Sequence, residues 1–193
     1  MSKNEKKSFI VIYKEADPEA RFKIMMNNYA VFPKEIRKAE KKLQFKIKAE
    51  QEWIRGHAME ELGVRVQTSS KGDRTANEAI SNVMMEEAFE TGVLDKSVFK
   101  GIVNTDEFEE EFQLIRIMKM DYELLEELVN GMPNRDARIM KRRFLEGKIY
   151  KEIADEEGKT IDAIKKRIEK LYKELKEEIL EYLEMSSGRR IIK

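Results

Sequence analysis

The chain contains no cysteine, and it has only three prolines and nine glycines among its 193 residues. Without cysteine it can form neither disulfides nor thiolate metal sites, and this composition fits a reducing compartment such as the cytoplasm. Its apolar runs are short, as in FIVIY at residues 9–13, whereas about 20 apolar residues are needed to span a bilayer. We therefore expect a cytoplasmic protein with no membrane segment and no signal peptide.

Residues with ligand or nucleophile chemistry are also scarce. His57 is the only histidine, so no second imidazole is present to build a metal site. The carboxylates of DEFEEEF at 106–112 could hold Mg²⁺, but the helix dipole alone favours acidic residues in a first turn. No glycine-rich phosphate loop, nucleophile elbow or histidine-based triad occurs. The sequence thus predicts a protein that is not an enzyme and needs no cofactor.

Charge is abundant and unevenly distributed. Charged residues make up 39% and hydrophobic residues 41% of the sequence, and the formal net charge is zero. Residues 86–127 hold 13 acidic and four basic side chains, whereas residues 133–193 hold 17 basic and 13 acidic ones. A composition this rich in Glu, Lys, Leu, Ile and Met predicts an all-α fold. The basic C-terminal part is where a nucleic-acid contact is expected.

The first 130 residues read as helices joined by short breaks. Residues 1–17 are expected to be flexible or to form a short extended arm, with a strand at SFIVIY as one reading. Beyond them, Asp17-Pro18 and Pro33 are helix starts. The predicted helices are 18–31, 33–62, 76–91 and about 105–130, with a short piece near 96–103. The clearest loop is GVRVQTSSKGDR at 63–74.

Two of these helices carry a single apolar seam that requires a partner. On the 33–62 helix the seam consists of Ile36, Leu43, Ile47, Ile54, Ala58 and Leu62. On the 105–130 helix it consists of Phe108, Phe112, Ile115, Met118, Tyr122, Leu125 and Val129. We expect the seams to pack against each other, within one chain or across a dimer. The apolar face of the 76–91 helix is predicted to comprise Ala76, Ala79, Ile80, Val83, Met84 and Ala88.

The strongest break in the second half is NGMPN at 130–134, and it predicts a domain boundary. Residues 18–130 would then be a coiled-coil-like helical region for oligomerisation or partner contact. Residues 131–193 would be a helix-turn-helix DNA-binding domain.

The pattern after this boundary is three helices separated by Gly147 and Gly158, at reversals that favour a positive φ. Ile153 and Ala154 of the second helix are expected to face inward, and Thr160 to cap the third. The third helix should run from Ile161 to about Met185. Its predicted buried stripe comprises Ile164, Ile168, Leu171, Leu175 and Ile179.

The second and third helices form the candidate DNA-binding surface. A recognition helix presents its N-terminal part to base edges in the major groove, while Lys and Arg neutralise phosphates. A charge run alone usually marks a solvated face, but the preceding YKEIA, glycine and threonine favour a DNA contact. The residues predicted to contact DNA are Lys148, Tyr150, Lys151, Thr160, Asp162, Ala163, Lys165, Lys166, Arg167 and Lys170.

The stretch MPNRDARIMKRRFLEGKIYKEIADEEGKTIDAIKKRIEKLYKEL resembles region 4 of bacterial sigma factors. That family has Leu-Pro, an Arg-rich helix ending in Gly, Y-x-E-I-A, a Gly, a Ser or Thr, and V-K-x-R-L. The matching elements here are Met132-Pro133, Arg138–Gly147, Tyr150–Ala154, Gly158, Thr160 and Ile164–Ile168. Glu157 and Lys159 depart from the pattern, because the family usually has apolar residues there, so we expect different packing or solvation at the turn. The promoter-melting segment of a complete sigma factor is not recognisable in residues 1–130.

The N-terminal part is more loosely similar to phage-encoded transcriptional regulators of the ArpU and late-gene-activator type. The similar segments are a long charged helix, YAVFPKEIRKAEKKLQFKIKAEQEWI, and a helix start, GDRTANEAI. This resemblance implies a sequence-specific regulator of phage or prophage genes that binds double-stranded DNA, with RNA polymerase as a candidate partner. Two alternatives stay open: a divergent compact sigma factor acting with the polymerase core, and a small-terminase-like DNA-packaging oligomer.

Overall fold

The computed structural model describes residues 8–60 and 74–188, and the side chains of residues 8–57 and 79–185. Within these ranges the chain is helical and contains no strand, so the all-α prediction is confirmed. The helices are α1 (Phe9–Glu15), α2 (Pro18–Asn27), α3 (Phe32–Glu60), α4 (Arg74–Thr91), a 3₁₀-helix (Lys96–Phe99), α5 (Asp106–Gly131), α6 (Asn134–Phe144), α7 (Tyr150–Glu157) and α8 (Ile161–Gly188). The predicted loop at 63–74 lies almost entirely outside the described residues. None of the described helices combines the length and apolar character that crossing a membrane requires.

Phe9–Glu15 is a helix, so the short strand or extended arm expected at SFIVIY is wrong for these residues. The rings of Phe9 and Tyr13 both pack edge-on against Phe32, with ring centroids 5.4 and 5.6 Å away. Four residues span about 6 Å in a helix but about 13 Å in a strand, so the helix brings both rings to one partner. Tyr13 is fully buried, and its hydroxyl donates to Asp121 (2.8 Å).

The chain divides into two compact units. One unit comprises Met1–Ile36 together with Ile117–Lys193, and the other comprises Arg37–Arg116. The domain boundary expected at the NGMPN break of residues 130–134 stays a prediction.

In the unit Arg37–Arg116, parts of α3 and α5 pack with α4 and the 3₁₀-helix. Lys46 Nζ of α3 lies 2.6 Å from Glu111 Oε2 of α5, and the rings of Phe89 and Phe112 are 5.0 Å apart. The buried apolar side chains are Ala39, Leu43, Ile47, Met85, Ala88, Phe89, Val98, Phe99, Phe112 and Ile115. The predicted neighbours α3 and α5 therefore meet within one chain.

The buried face of α4 matches the predicted one only in part, because Ala88 is buried as predicted but Ile80 and Val83 are not. Ile80 and Val83 are 56% and 52% exposed, whereas Met85 and Phe89 are 2% and 6% exposed. Met85, Ala88 and Phe89 are also spaced as one helical face, so this helix offers two apolar faces. Periodicity alone cannot tell which of the two faces is buried. In the folded chain the buried face is the one with Met85, Ala88 and Phe89.

In the other unit, α2 packs along α8. Phe22 is fully buried, and its ring centroid lies 5.0 Å from that of Tyr172. Near the same place Lys176 Nζ lies 3.1 Å from Glu19. The middle of α8 therefore packs against an apolar side chain from the N-terminal part of the chain.

Tyr122 of α5 joins the same core. Its ring stacks on Phe32 with centroids 5.3 Å apart, and its hydroxyl donates to the backbone carbonyl of Tyr29 (2.9 Å). Burial raises the pKa of Tyr122 to about 12, so the hydroxyl stays protonated and donates at any physiological pH. This bond fixes the last turns of α5 beside the start of α3.

Phe22→Ala is expected to lower the free energy of unfolding by about 3 kcal/mol, because it removes a fully buried ring between α2 and α8. Lys23→Ala is the matched control, since the side chain of Lys23 is 59% exposed and makes only a weak pair with Glu19 at 3.8 Å. It should change the free energy by less than about 0.5 kcal/mol. Urea unfolding followed by far-ultraviolet circular dichroism measures both. Equal effects would contradict the packing of α2 on α8.

Candidate nucleic-acid interface

A tight corner joins α7 to α8. Gly158 has φ 60° and ψ 40°, the left-handed region that glycine enters at the lowest energy. Thr160 Oγ1 then accepts a hydrogen bond from the N–H of Ala163 (3.2 Å). The predicted glycine turn and threonine cap are both confirmed, and α8 begins at Ile161 as predicted.

Apolar side chains hold this corner in place. Ile153 and Ala154 of α7 are 0% and 1% exposed, as predicted. The predicted stripe of α8 is buried throughout, from Ile164 to Ile179, and α6 adds the buried Ile139 and Met140. Because the stripe occupies one side of α8, the opposite side of the helix is left to solvent.

Three arginines of α6 converge on one carboxylate of α7. The side chain of Glu157 is only 4% exposed and accepts hydrogen bonds from Arg135 (3.2 Å), Arg138 (2.8 Å) and Arg142 (2.7 Å). The hydrogen bond from Arg138 is the largest cause that holds the pKa of Glu157 below its usual range. At this position, where sigma factors usually have an apolar residue, an ion-paired network stabilises the turn instead.

Arg167 of α8 is directed back into the domain. Its Nε lies 2.8 Å from Asp136 Oδ1 of α6, and its Nη2 donates to the second carboxylate oxygen. The side chain of Asp136 is 7% exposed and that of Arg167 is 41% exposed. The hydrogen bond from Arg167 is the main cause that lowers the pKa of Asp136. The pair braces α6 against α8 with two of the five guanidinium N–H groups; a DNA contact by the others stays a prediction.

Seven of the ten residues predicted to contact DNA are exposed: Lys151, Thr160, Asp162, Ala163, Lys165, Lys166 and Lys170. All but Lys151 lie on the first three turns of α8 or at its cap. Lys170 lies 3.5 Å from Glu174 one turn further along, and both side chains are more than half exposed. Such a solvent-exposed pair is weak, so Lys170 can exchange its partner.

Lys148 and Tyr150 lie beside the start of α7 and are partly buried. Lys148 Nζ is 2.6 Å from Glu156 and 3.2 Å from Glu146, and the hydrogen bond to Glu156 is the main cause that raises the pKa of Lys148. The guanidinium of Arg143 lies 4.7 Å from the centre of the Tyr150 ring. Lys148 therefore ties α7 to the loop before it, and Tyr150 contacts α6 through Arg143; contact of either residue with DNA stays a prediction.

Sequence reasoning missed two features of this surface. Lys159 is exposed at the corner, although the sequence marks it only as a departure from the sigma pattern. Arg135, Arg138 and Arg142 recur at helical spacing, which predicts that they share one face of α6. Their common partner Glu157 lies on another helix and leaves no local signal.

Asp136→Asn is expected to lower the free energy of unfolding by about 1–2 kcal/mol at neutral pH, a value reduced by solvent screening at the half-exposed Arg167. The folded carboxylate has a lowered pKa, so its stabilisation is present above the unfolded value of about 3.9 and is lost as the pH falls through the folded value. Urea unfolding of both proteins from pH 7 towards about pH 3 should therefore show a shrinking difference. Asp155→Asn, at an exposed position of α7, is the control, and a difference independent of pH would contradict this role.

The family model described as Sigma-70, region 4, matches residues 122–175. The match extends from the last turns of α5 through α6 and α7 to the middle of α8, and it contains the corner at Gly158 and both Lys165 and Lys166. No curated protein and no solved structure matches the chain. Domains of the matched family bind DNA and are not catalytic. Residues 122–175 are thus a sigma-70 region 4-like helix-turn-helix domain.

Proposed function

We propose that this protein is a sequence-specific DNA-binding transcriptional regulator of phage or prophage genes, and that α8 enters the major groove of its target. One observation carries the proposal. In a sigma-70 region 4-like domain, Lys165 and Lys166 stand exposed on α8 directly after the glycine corner. A double helix that approaches this exposed side of α8 can therefore contact both side chains.

The lysines around the corner supply the positive charge for phosphate contacts. Lys151, Lys159, Lys165 and Lys166 are exposed, and none of them has an ion-pair partner within the part of the chain that the structure describes. Phosphate neutralisation by such side chains releases counterions and dominates the affinity of DNA-binding proteins. These four lysines can bind DNA without breaking the ion pairs that hold the fold.

The first turns of α8 also carry side chains that can read bases. Lys166 can donate to guanine O6 and N7, and the carboxylate of Asp162 can accept from the amino group of cytosine. Ala163 is small and lets the helix approach closely. Thr160 fixes where the helix begins, and therefore which residues lie deepest in the groove.

The remaining parts of the proposal rest on resemblance. A region 4-like domain makes RNA polymerase a candidate partner. The similarity of residues 29–54 and 72–80 to phage regulators supports a phage or prophage origin. Residues 18–130 are proposed to mediate oligomerisation, as in a dimer, or partner contact, while residues 131–193 contact DNA.

Replacing both Lys165 and Lys166 by Ala is expected to weaken DNA binding about tenfold or more, because two groove-facing cations are lost. The slope of log affinity against log salt concentration should fall by about 2. The probe is a labelled duplex taken from a random-library selection of bound DNA, and fluorescence anisotropy at several salt concentrations gives both quantities.

The matched control replaces Lys23 of α2 and Lys42 of α3 by Ala, which removes the same charge from two exposed positions outside α8. Binding by this control should stay close to that of the unchanged protein. If both double variants bind equally well, or are weakened equally, α8 is not the DNA-contacting helix.

The sigma-70 region 4 match also favours a second candidate, a compact sigma factor that acts with the RNA polymerase core. In vitro transcription from the selected DNA separates the two functions. Transcripts made by core enzyme plus this protein alone would establish the sigma factor. A regulator would change transcription only when the polymerase already carries another sigma factor.

A further inference from the structure

Ile161, the first residue of α8, is apolar and yet 47% exposed. It lies three residues before Ile164 and seven before Ile168, so it continues the apolar stripe of the helix towards its N-terminus. Those two isoleucines are only 2% and 3% exposed. The stripe therefore extends beyond the core at the end of α8 that the proposed function places in the groove.

The surroundings of Ile161 are polar and fixed. Thr160 caps the helix through the N–H of Ala163, so the first turn of α8 is held in a defined conformation. Lys159, Thr160, Asp162 and Lys165 around it are all exposed. Ile161 is thus a large apolar side chain exposed on the first turn of a charged helix.

The major groove contains one apolar group that such a side chain can recognise. Guanine, cytosine and adenine present hydrogen-bond donors and acceptors there, whereas thymine also presents its C5-methyl group. We propose that Ile161 is a specificity-determining residue that packs against the C5-methyl group of a thymine in the target site. This inference rests on the proposed function, since it requires α8 to lie in the major groove.

Asp162 supports the same placement of the first turn. An exposed carboxylate beside the phosphate backbone would be repelled by it, whereas inside the groove it can accept a hydrogen bond from a base amino group. Asp162 directly follows Ile161, so both residues fall on the leading turn of α8. Ile161 and Asp162 together predict two adjacent base contacts: an apolar contact by Ile161 and a hydrogen bond accepted by Asp162.

An exposed isoleucine can also be an ordinary solvated side chain, and the chain offers a matched control for that case. Ile149, next to the start of α7, is 57% exposed. It belongs to the same domain and has the same side chain, but it does not lie on α8. Any effect common to both positions would reflect general surface chemistry and not base reading.

The experiment uses the full chain and the duplex obtained by random-library selection. Each thymine of the selected site is replaced in turn by deoxyuridine, which removes only the C5-methyl group. The unchanged protein should bind about fourfold more weakly at one such position, the effect of exposing one buried methyl group. Ile161→Ala should bind the thymine and uracil duplexes equally, Ile161→Val should keep part of the preference, and Ile149→Ala should keep all of it.

The outcomes separate this inference from the proposed function. Failure to select any DNA motif would overturn both. A defined motif without thymine would overturn the role of Ile161 and leave the regulator intact, as would a motif in which every thymine tolerates uracil. A thymine preference that persists in Ile161→Ala would assign the methyl contact to another residue. If Ile161→Ala does not fold, as judged by circular dichroism, Ile161→Val and Ile149→Ala decide between these results.

Discussion

Burial of the apolar stripe of α8 is the constraint on which the candidate DNA-binding surface depends. The side chains from Ile164 to Leu183 on this stripe are at most 3% exposed, and each contributes about 1.5–3 kcal/mol when it is removed from water. Rotation of α8 about its axis would expose several of them together. The core therefore determines which side of the helix faces solvent, and Lys165 and Lys166 are exposed because they stand off that stripe.

The cations of the domain form two groups: arginines bound by nearly buried carboxylates, and exposed lysines. Glu157 and Asp136 are almost buried and bind arginines, which places those guanidinium groups between helices. The planar guanidinium suits such paired contacts, whereas the ammonium of lysine is more strongly hydrated and stays in water. The result is a set of arginine bridges between helices and a group of exposed lysines at the corner and on α8. The net charge of the chain, which is zero, reveals neither the paired arginines nor the exposed lysines.

The domain also depends on distant parts of the chain. The match to sigma-70 region 4 begins at residue 122, inside α5, and so precedes the break at 130–134. Tyr122 bonds to the backbone of Tyr29, and Phe22 of α2 packs on Tyr172 of α8. The helix proposed to read DNA is thus packed against α2, from the N-terminal part of the sequence, and a loss of this packing would destabilise α8.

The helices after α1, the glycine corner and the cap at Thr160 could be predicted from the sequence, because periodicity, turn preference and capping act over a few neighbouring residues. The sequence also placed most of the candidate site, since seven of the ten residues lie exposed where the helical pattern puts them. Packing in the folded chain, by contrast, sets the helical conformation of Phe9–Glu15, the buried face of α4 and the bond between Arg167 and Asp136. Each of these depends on a partner far away in the chain; Asp136 and Arg167, for example, are 31 positions apart. Such a contact has no periodic signature in the sequence, because it is created by packing between helices.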